Sequence, residues 1–384
     1  MKNSCVHVVT EEPQTPWWGH GIPVMEGNQS MELHKGTIPD DALLRQQCAR
    51  ARELYEQEGI PHIVLPFSPA LDAQYRHDFI FSTDGAITTV DKNGQPLGWI
   101  SHFNPGARHR QPEAESMERF LSLQGMETIR LPDNAYLEGG EVHYTPYDHV
   151  YFGGLFRANE CGHQIVANRS DIKEMILLKS KGFHLDTVLS PVLNADGNLD
   201  AVLACLNLMT NESKDLLHRA CTSLGVDLLE VDEQDSIGDP ENAYQDGTCA
   251  VNCMPVPGTL FGNRQFQTPG IEDELRKRGI QHLHTPLTEC EKSAGAYHCL
   301  TQRMHMDNPR EVILWYMIGE LAALHRLLCK PPAGMSQIDG KSEVELMAMQ
   351  LPLMDFDAYE KYGIGKKAID ALKHDKDRFL STYS

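Results

Sequence analysis

The chain of 384 residues is 41% hydrophobic and 23% charged, enough apolar side chain to bury one large core or two ordinary ones. Its formal net charge of −20 argues against a nucleic-acid-binding surface, which needs clustered cations, and favours a cationic substrate. The longest apolar stretch, Val312 to Cys329, is broken by Glu320, His325 and Arg326, and the N-terminus lacks the basic start and apolar block of a secretory signal, so no membrane contact and a cytoplasmic location are expected.

In chain order, the run from Asp40 to Gly59 places Leu44, Cys48, Ala51 and Tyr55 at helical spacing, with acidic residues opening it and a glycine closing it. A strand over Ile63–Phe67 follows. Five β-rich stretches then begin at Asp78, Tyr136, Phe183, Ala250 and Ala296, each setting polar or reactive residues beside strand formers. Their markers Asp84, Glu138, His184, Asn252 and Cys299 recur roughly every 50 residues, which points to a repeated supersecondary unit. Helices are predicted between them at Glu113–Leu123, Asp171–Lys181, Glu212–Leu224 and Ile271–Arg278, giving a mixed α/β domain over residues 1–303. Beyond it, Ile313, Met317, Leu321, Leu324 and Leu328 keep helical spacing, and Pro331, Pro332, Gly334 and Pro352 punctuate what reads as a helical C-terminal extension over 304–384.

Ten scattered cysteines form no disulfide framework and are expected as free thiols. The nearest zinc-like sets are Cys249 with Cys253 and the group His282, His284 and Cys290; neither has the paired spacing of a structural site, and no metal is expected.

Several residues have the chemistry of a catalytic centre. Cys299, close behind Gly295, is a candidate nucleophile held on a short β-like segment. His184 and Asp186, two apart, would share one face of a strand. Glu138 precedes two glycines, which in a strand mark a bulge or a close approach. Asp78 and Asp84 flank the apolar run Phe79–Phe81, and Arg157, just after another Gly-Gly, could clamp a carboxylate in bidentate fashion. Taken singly, each has an ordinary alternative as core, turn or surface residue.

Together and in this order, the segments resemble the pentein superfamily of guanidine-modifying enzymes: arginine deiminases, dimethylarginine dimethylaminohydrolases, agmatine deiminases and amidinotransferases. FSTDGA is similar to the family's Thr-Arg-Asp segment, LEGGE to its Glu-Gly-Gly-Asp, FGGLFRANECG to its Gly-x-Ser-x-Arg-Thr-Asn, AVNC to an Asn-Cys strand motif, and TECEKSAGAYHCLTQ to the segment ending in the nucleophile. The resemblance covers about residues 60–303. It implies a five-bladed α/β propeller of ββαβ units, with Cys299 as nucleophile, His184 as acid/base and Glu138 as the carboxylate orienting it. It further implies Asp84 and Asp186 as guanidinium ligands and Arg157 as reader of a substrate carboxylate, with Asp78 beside them. Phe156 and Ala158 stand where serine and threonine are usual, Glu141 stands where aspartate is usual, and residues 304–384 align with nothing in the family.

The implied reaction is hydrolysis of arginine or an arginine derivative through a cysteine-bound thiouronium, yielding a ureido product and ammonia or an amine, without metal or organic cofactor. Amidinotransfer to an amine uses the same cysteine and histidine, and a silent binding module is the non-catalytic alternative. If Arg157 reads a carboxylate, amino acids are preferred over agmatine. The expected partner is a small guanidino molecule, and the C-terminal helices offer a surface for a second copy or another protein.

Overall fold

The computed structural model describes residues 5–239, 246–331, 337–338 and 340–383. Its strands form five three-stranded sheets of one plan. In chain order these are β1 (Val6–Thr10), helix α1 (Asp41–Gln57), β2 (His62–Leu65); β3 (Ala86–Val90), β4 (Pro96–Ile100), α2 (Gln111–Gln124), β5 (Glu127–Arg130). Next come β6 (Val142–Thr145), β7 (Val150–Gly154), α3 (Glu160–Arg169), β8 (Glu174–Leu178); β9 (Leu189–Leu193), β10 (Leu199–Ala204), α4 (Asn211–Leu224), β11 (Asp227–Glu230). The last unit is β12 (Met254–Val256), β13 (Thr259–Gly262), α5 (Ile271–Lys277) and β14 (Gln281–His284), after which β15 (Thr301–Met304) returns to the first sheet.

Within each unit an antiparallel pair is followed by a helical crossover to a parallel third strand, as β3–β4 and β4–β5 show. The first sheet is completed from both ends of the chain, β1 pairing antiparallel with β15 and parallel with β2. That closure joins the last blade to the first and leaves only short outer edges. Burial falls along each blade: β3 is buried throughout, whereas β5 exposes both of its ends. The innermost strands therefore surround the centre, and the turn entering each of them faces the channel.

The helix expected at Asp171–Lys181 is not there; α3 ends at Arg169 and Glu174–Leu178 is strand β8, parallel to β7. Its short apolar run, EMILL, is compatible with either structure locally, and the ladder to β7 decides it. Strand β1 had no counterpart among the predicted elements, because Val6–Thr10 becomes a strand only through two distant partners.

After β15 the described residues form helices α6 (Ile313–Cys329), α7 (Glu343–Gln350) and α8 (Lys366–Tyr383), with a small hairpin at Gln337–Ile338 and Lys341–Ser342. Pro332 and Gly334 lie outside the described residues. The α6 face carrying Tyr316, Met317, Leu321, Leu324 and Leu328 is buried in the same apolar core as the first blade. Buried Glu320 ties it down, accepting from Ser68 and, at 2.6 Å, from Arg119 on α2. Ser342 and Glu345 form a capping box that starts α7. No helix of the described residues is long and apolar enough to cross a membrane.

Candidate active site

The five marker residues precede the five innermost strands: Asp84 before β3, Glu138 before β6, His184, with Asp186 two residues on, before β9, Asn252 before β12 and Cys299 before β15. One blade thus supplies one position, which accounts for the sequence period. The expected strand through His184 and Asp186 is instead an extended residue leading into the single turn Leu185–Thr187. Both side chains still reach the centre.

His184 and Glu138 form the first pair. The imidazole Nε2 lies 3.0 Å from Glu138 Oε2, and Nδ1 lies 3.6 Å from Asp84 Oδ1, all three side chains being buried. Burial alone would lower the histidine pKa, but the charge of Asp84 and the hydrogen bond to Glu138 outweigh it and raise it to about 9. His184 is therefore an imidazolium at neutral pH, and a proton donor. The glycines after Glu138 make room for this geometry: a Cβ on Gly140 would stand 2.4 Å from His184 Nδ1, and one on Gly139 would stand 1.7 Å from the Thr83 carbonyl oxygen.

Arg157 lies against Glu138. Its Nε donates to Glu138 Oε1 at 3.1 Å, its guanidinium lies 4.8 Å over the Phe183 ring, and Nη1 reaches the Glu26 carbonyl at 3.4 Å. A buried guanidinium beside an ionised carboxylate pairs with it, so Arg157, read from the sequence as a possible carboxylate clamp, here pairs with Glu138. Glu141 accepts from the backbone N–H groups of Phe156 and Arg157 and, at 2.9 Å, of Leu185, joining the Arg157 loop to the His184 turn.

Asp84 is held by Arg110, whose Nη1 donates to Oδ2 at 3.0 Å. The same guanidinium donates to Glu113 at 2.8 and 3.0 Å and stands 3.8 Å from Asp78. Asp78 is thus one step removed from the centre, and burial raises its pKa. The sequence reading missed Arg110 and Glu113, and their only local signal is an arginine and a glutamate three apart at a helix start.

Cys299 completes the set. Asn252 donates to its sulfur at 3.2 Å and to the Asp186 carbonyl at 3.1 Å, and its own carbonyl accepts from the Ala296 and Cys299 N–H groups. The thiol points at Asp186 Oδ2, 3.4 Å away, which also accepts from His298 Nδ1 at 2.8 Å. His298, the neighbour of Cys299, was not singled out in the sequence. Burial, with the negative charges of Asp186 and Asp84, raises the Cys299 pKa well above its ordinary value, so the thiol is protonated in the free protein. Asp84 Oδ1 and Asp186 Oδ1 are buried without any hydrogen-bond partner among the described residues. Two such carboxylate oxygens are costly unless a donor arrives.

No protein-family model and no curated protein matches the chain. Solved structures do. The N-terminal domain of ArgZ, an arginine dihydrolase from cyanobacteria, superposes with a TM-score of 0.62 at 17% identity, over 79% of this chain and 99% of that domain. AgrE, solved with ornithine and NAD+, gives 0.62 at 18% identity over 80% of this chain, which spans 40% of the AgrE chain. DDAH from Pseudomonas aeruginosa, in complex with citrulline, gives 0.56 at 17% identity over 78% and 98%. Five blades closed by β1 and β15, in the company of these structures, show that the chain has the five-bladed α/β-propeller fold of the pentein enzymes.

Proposed function

We propose that the protein hydrolyses the guanidine group of arginine or an arginine derivative through a covalent bond to Cys299. The observation that carries this reading is the pair of buried oxygens without a hydrogen bond among the described residues, Asp84 Oδ1 and Asp186 Oδ1, beside a buried thiol. A guanidinium offers five donors in one plane and can satisfy both. The neighbours agree in chemistry: ArgZ is an arginine dihydrolase and DDAH was captured with citrulline, a ureido amino acid.

The free site holds its thiol protonated and its imidazole charged, so it is unreactive until substrate arrives. A bound guanidinium pairs with Asp84 and Asp186 and sets a positive charge beside the sulfur, so the thiol gives up its proton to water. The thiolate adds to the central carbon, and His184 gives its proton to the departing amine. Neutral His184 then takes a proton from water, whose oxygen adds to the thiouronium carbon. Expulsion of the Cys299 thiolate, with the hydroxyl proton returning to the sulfur, leaves the ureido product and the protonated thiol of the free site. Glu138, held ionised by His184 and Arg157, fixes the imidazole throughout.

The test is incubation with arginine, methylated arginines and agmatine, measuring ammonia, alkylamine and ureido product with and without an amine acceptor. Ureido product from wild type, and less than a hundredth of that rate from Cys299→Ser, are expected, because a serine hydroxyl does not ionise near neutral pH. Transfer of the amidino group to the acceptor without ureido product would establish the amidinotransferase reading. No turnover of any guanidino compound would leave a binding module.

A further inference from the structure

Arg303 stands in β15, four residues beyond Cys299, and its guanidinium makes no hydrogen bond or ion pair among the described residues. Apart from burial, the groups that act on its charge are Cys5 and Tyr55, both neutral at pH 7 because burial raises their pKa values, and no carboxylate is among them. Arg303 is half-buried, so its guanidinium stays open to water or to an anion.

Its surroundings are built of neutral polar groups. His7 lies directly across from Arg303 in the β1–β15 ladder, is buried, and has neither ring nitrogen hydrogen-bonded among the described residues. His305, two residues further on, is held by Thr88 at 2.8 Å. Burial and the Arg303 charge lower both histidines to about 3, so each is a neutral imidazole. Arg303, His7, His305 and Cys5 line one cavity of about 230 Å³, together with Pro61, Pro146 and Pro257. Arg303 and His305 also line a narrow second space that reaches His298, Gly139 and Thr83, next to the catalytic turns.

We propose that this cavity, behind the catalytic turns, binds a small oxyanion, phosphate or a short carboxylate, on the Arg303 guanidinium. One fixed positive charge, a neutral imidazole with no hydrogen bond among the described residues and a neutral thiol make a set of donors suited to a single small anion. The cavity is too small for a nucleotide and suits a compact ligand. The site is independent of the reading of Cys299, since none of the residues that form the anion pocket takes part in that chemistry.

The experiment is thermal unfolding of the full chain in sodium phosphate, sodium butyrate or sodium chloride at one ionic strength. A saturable rise in Tm with phosphate or butyrate over chloride is expected for wild type, and the stronger of the two names the ligand class. Arg303→Met should lose that rise, with a Tm in chloride no lower than wild type, since an unpaired charge has been removed. A wild type that responds to neither anion, or an Arg303→Met variant that responds as wild type does, overturns the proposal. Should Arg303→Met fail to fold, His7→Phe serves instead, because a phenyl ring keeps the stacking on Tyr55 at 5.7 Å. At least tenfold weaker anion binding in that variant supports the site, and unchanged binding refutes it.

Discussion

Glu138 takes a cation on each oxygen, His184 at 3.0 Å and Arg157 at 3.1 Å, and these partners overcome complete burial to hold its pKa below the ordinary value. Removing Arg157 leaves one oxygen of a buried carboxylate without its donor, so the loss should appear in the chemical step. A charge-assisted hydrogen bond of about 1.5–3 kcal/mol corresponds to roughly 10- to 100-fold in rate. Arg157→Leu is expected to lower kcat by that factor on arginine and agmatine alike, as steady-state kinetics on both would show. A rise in KM for arginine alone, with kcat kept, would return Arg157 to reading a carboxylate. At this scale the motifs located the residues well: Asp84, Glu138, His184, Asp186 and Cys299 all meet at the channel. Their contacts were less legible. Arg110 reaches Asp84 across 26 residues from a helix start, and nothing near either residue announces the pairing.

Among the elements, the turn entering each inner strand decides whether the blades can deliver their side chains. The Gly139–Gly140 turn shows how narrow the tolerance is, since the space beyond Gly140 is filled by the His184 ring. Gly140→Ala should push the imidazole away from Glu138 and reduce kcat at least tenfold while the far-ultraviolet circular dichroism stays that of wild type, because the turn is local and the flanking strands keep their ladders. Wild-type turnover in that variant would mean that His184 has slack in this position. The two glycines were read from the sequence as a close approach, and so they are. Strands were legible where apolar and polar residues alternated between turn signals. They were not legible where pairing alone defines them, as in Val6–Thr10, or where a short apolar run fits either structure, as in Glu174–Leu178. The burial of the C-terminal helices against the first blade was equally hidden, because α6 shows an apolar stripe but not its target.

For the molecule as a whole, buried titrating groups set how stability depends on pH. His7 and His305, lowered to about 3, and His109 and His163, lowered to about 4, bind protons more readily when unfolded, so stability should rise as pH climbs through that range towards 6.5. His184 works in the other direction. Its folded pKa, about 9, lies above its ordinary value of 6.5, so its contribution is complete below about pH 6.5 and is lost as pH rises through 9. Glu141, raised by burial to about 7 from an ordinary 4.5, adds a loss of the same sign between those two values. The expected profile of midpoint against pH therefore climbs from the acid side, turns over near neutrality and falls towards pH 9. His184→Asn removes the alkaline titration and leaves the buried histidines in place. Urea unfolding at intervals from pH 4 to pH 9.5 should give a variant whose curve is flatter than wild type above pH 6.5 and parallel to it below. Equal slopes above pH 6.5 would show that His184 is not charged by Asp84 and Glu138 in the folded protein, and would remove the proton donor that the proposed reaction needs for departure of the amine.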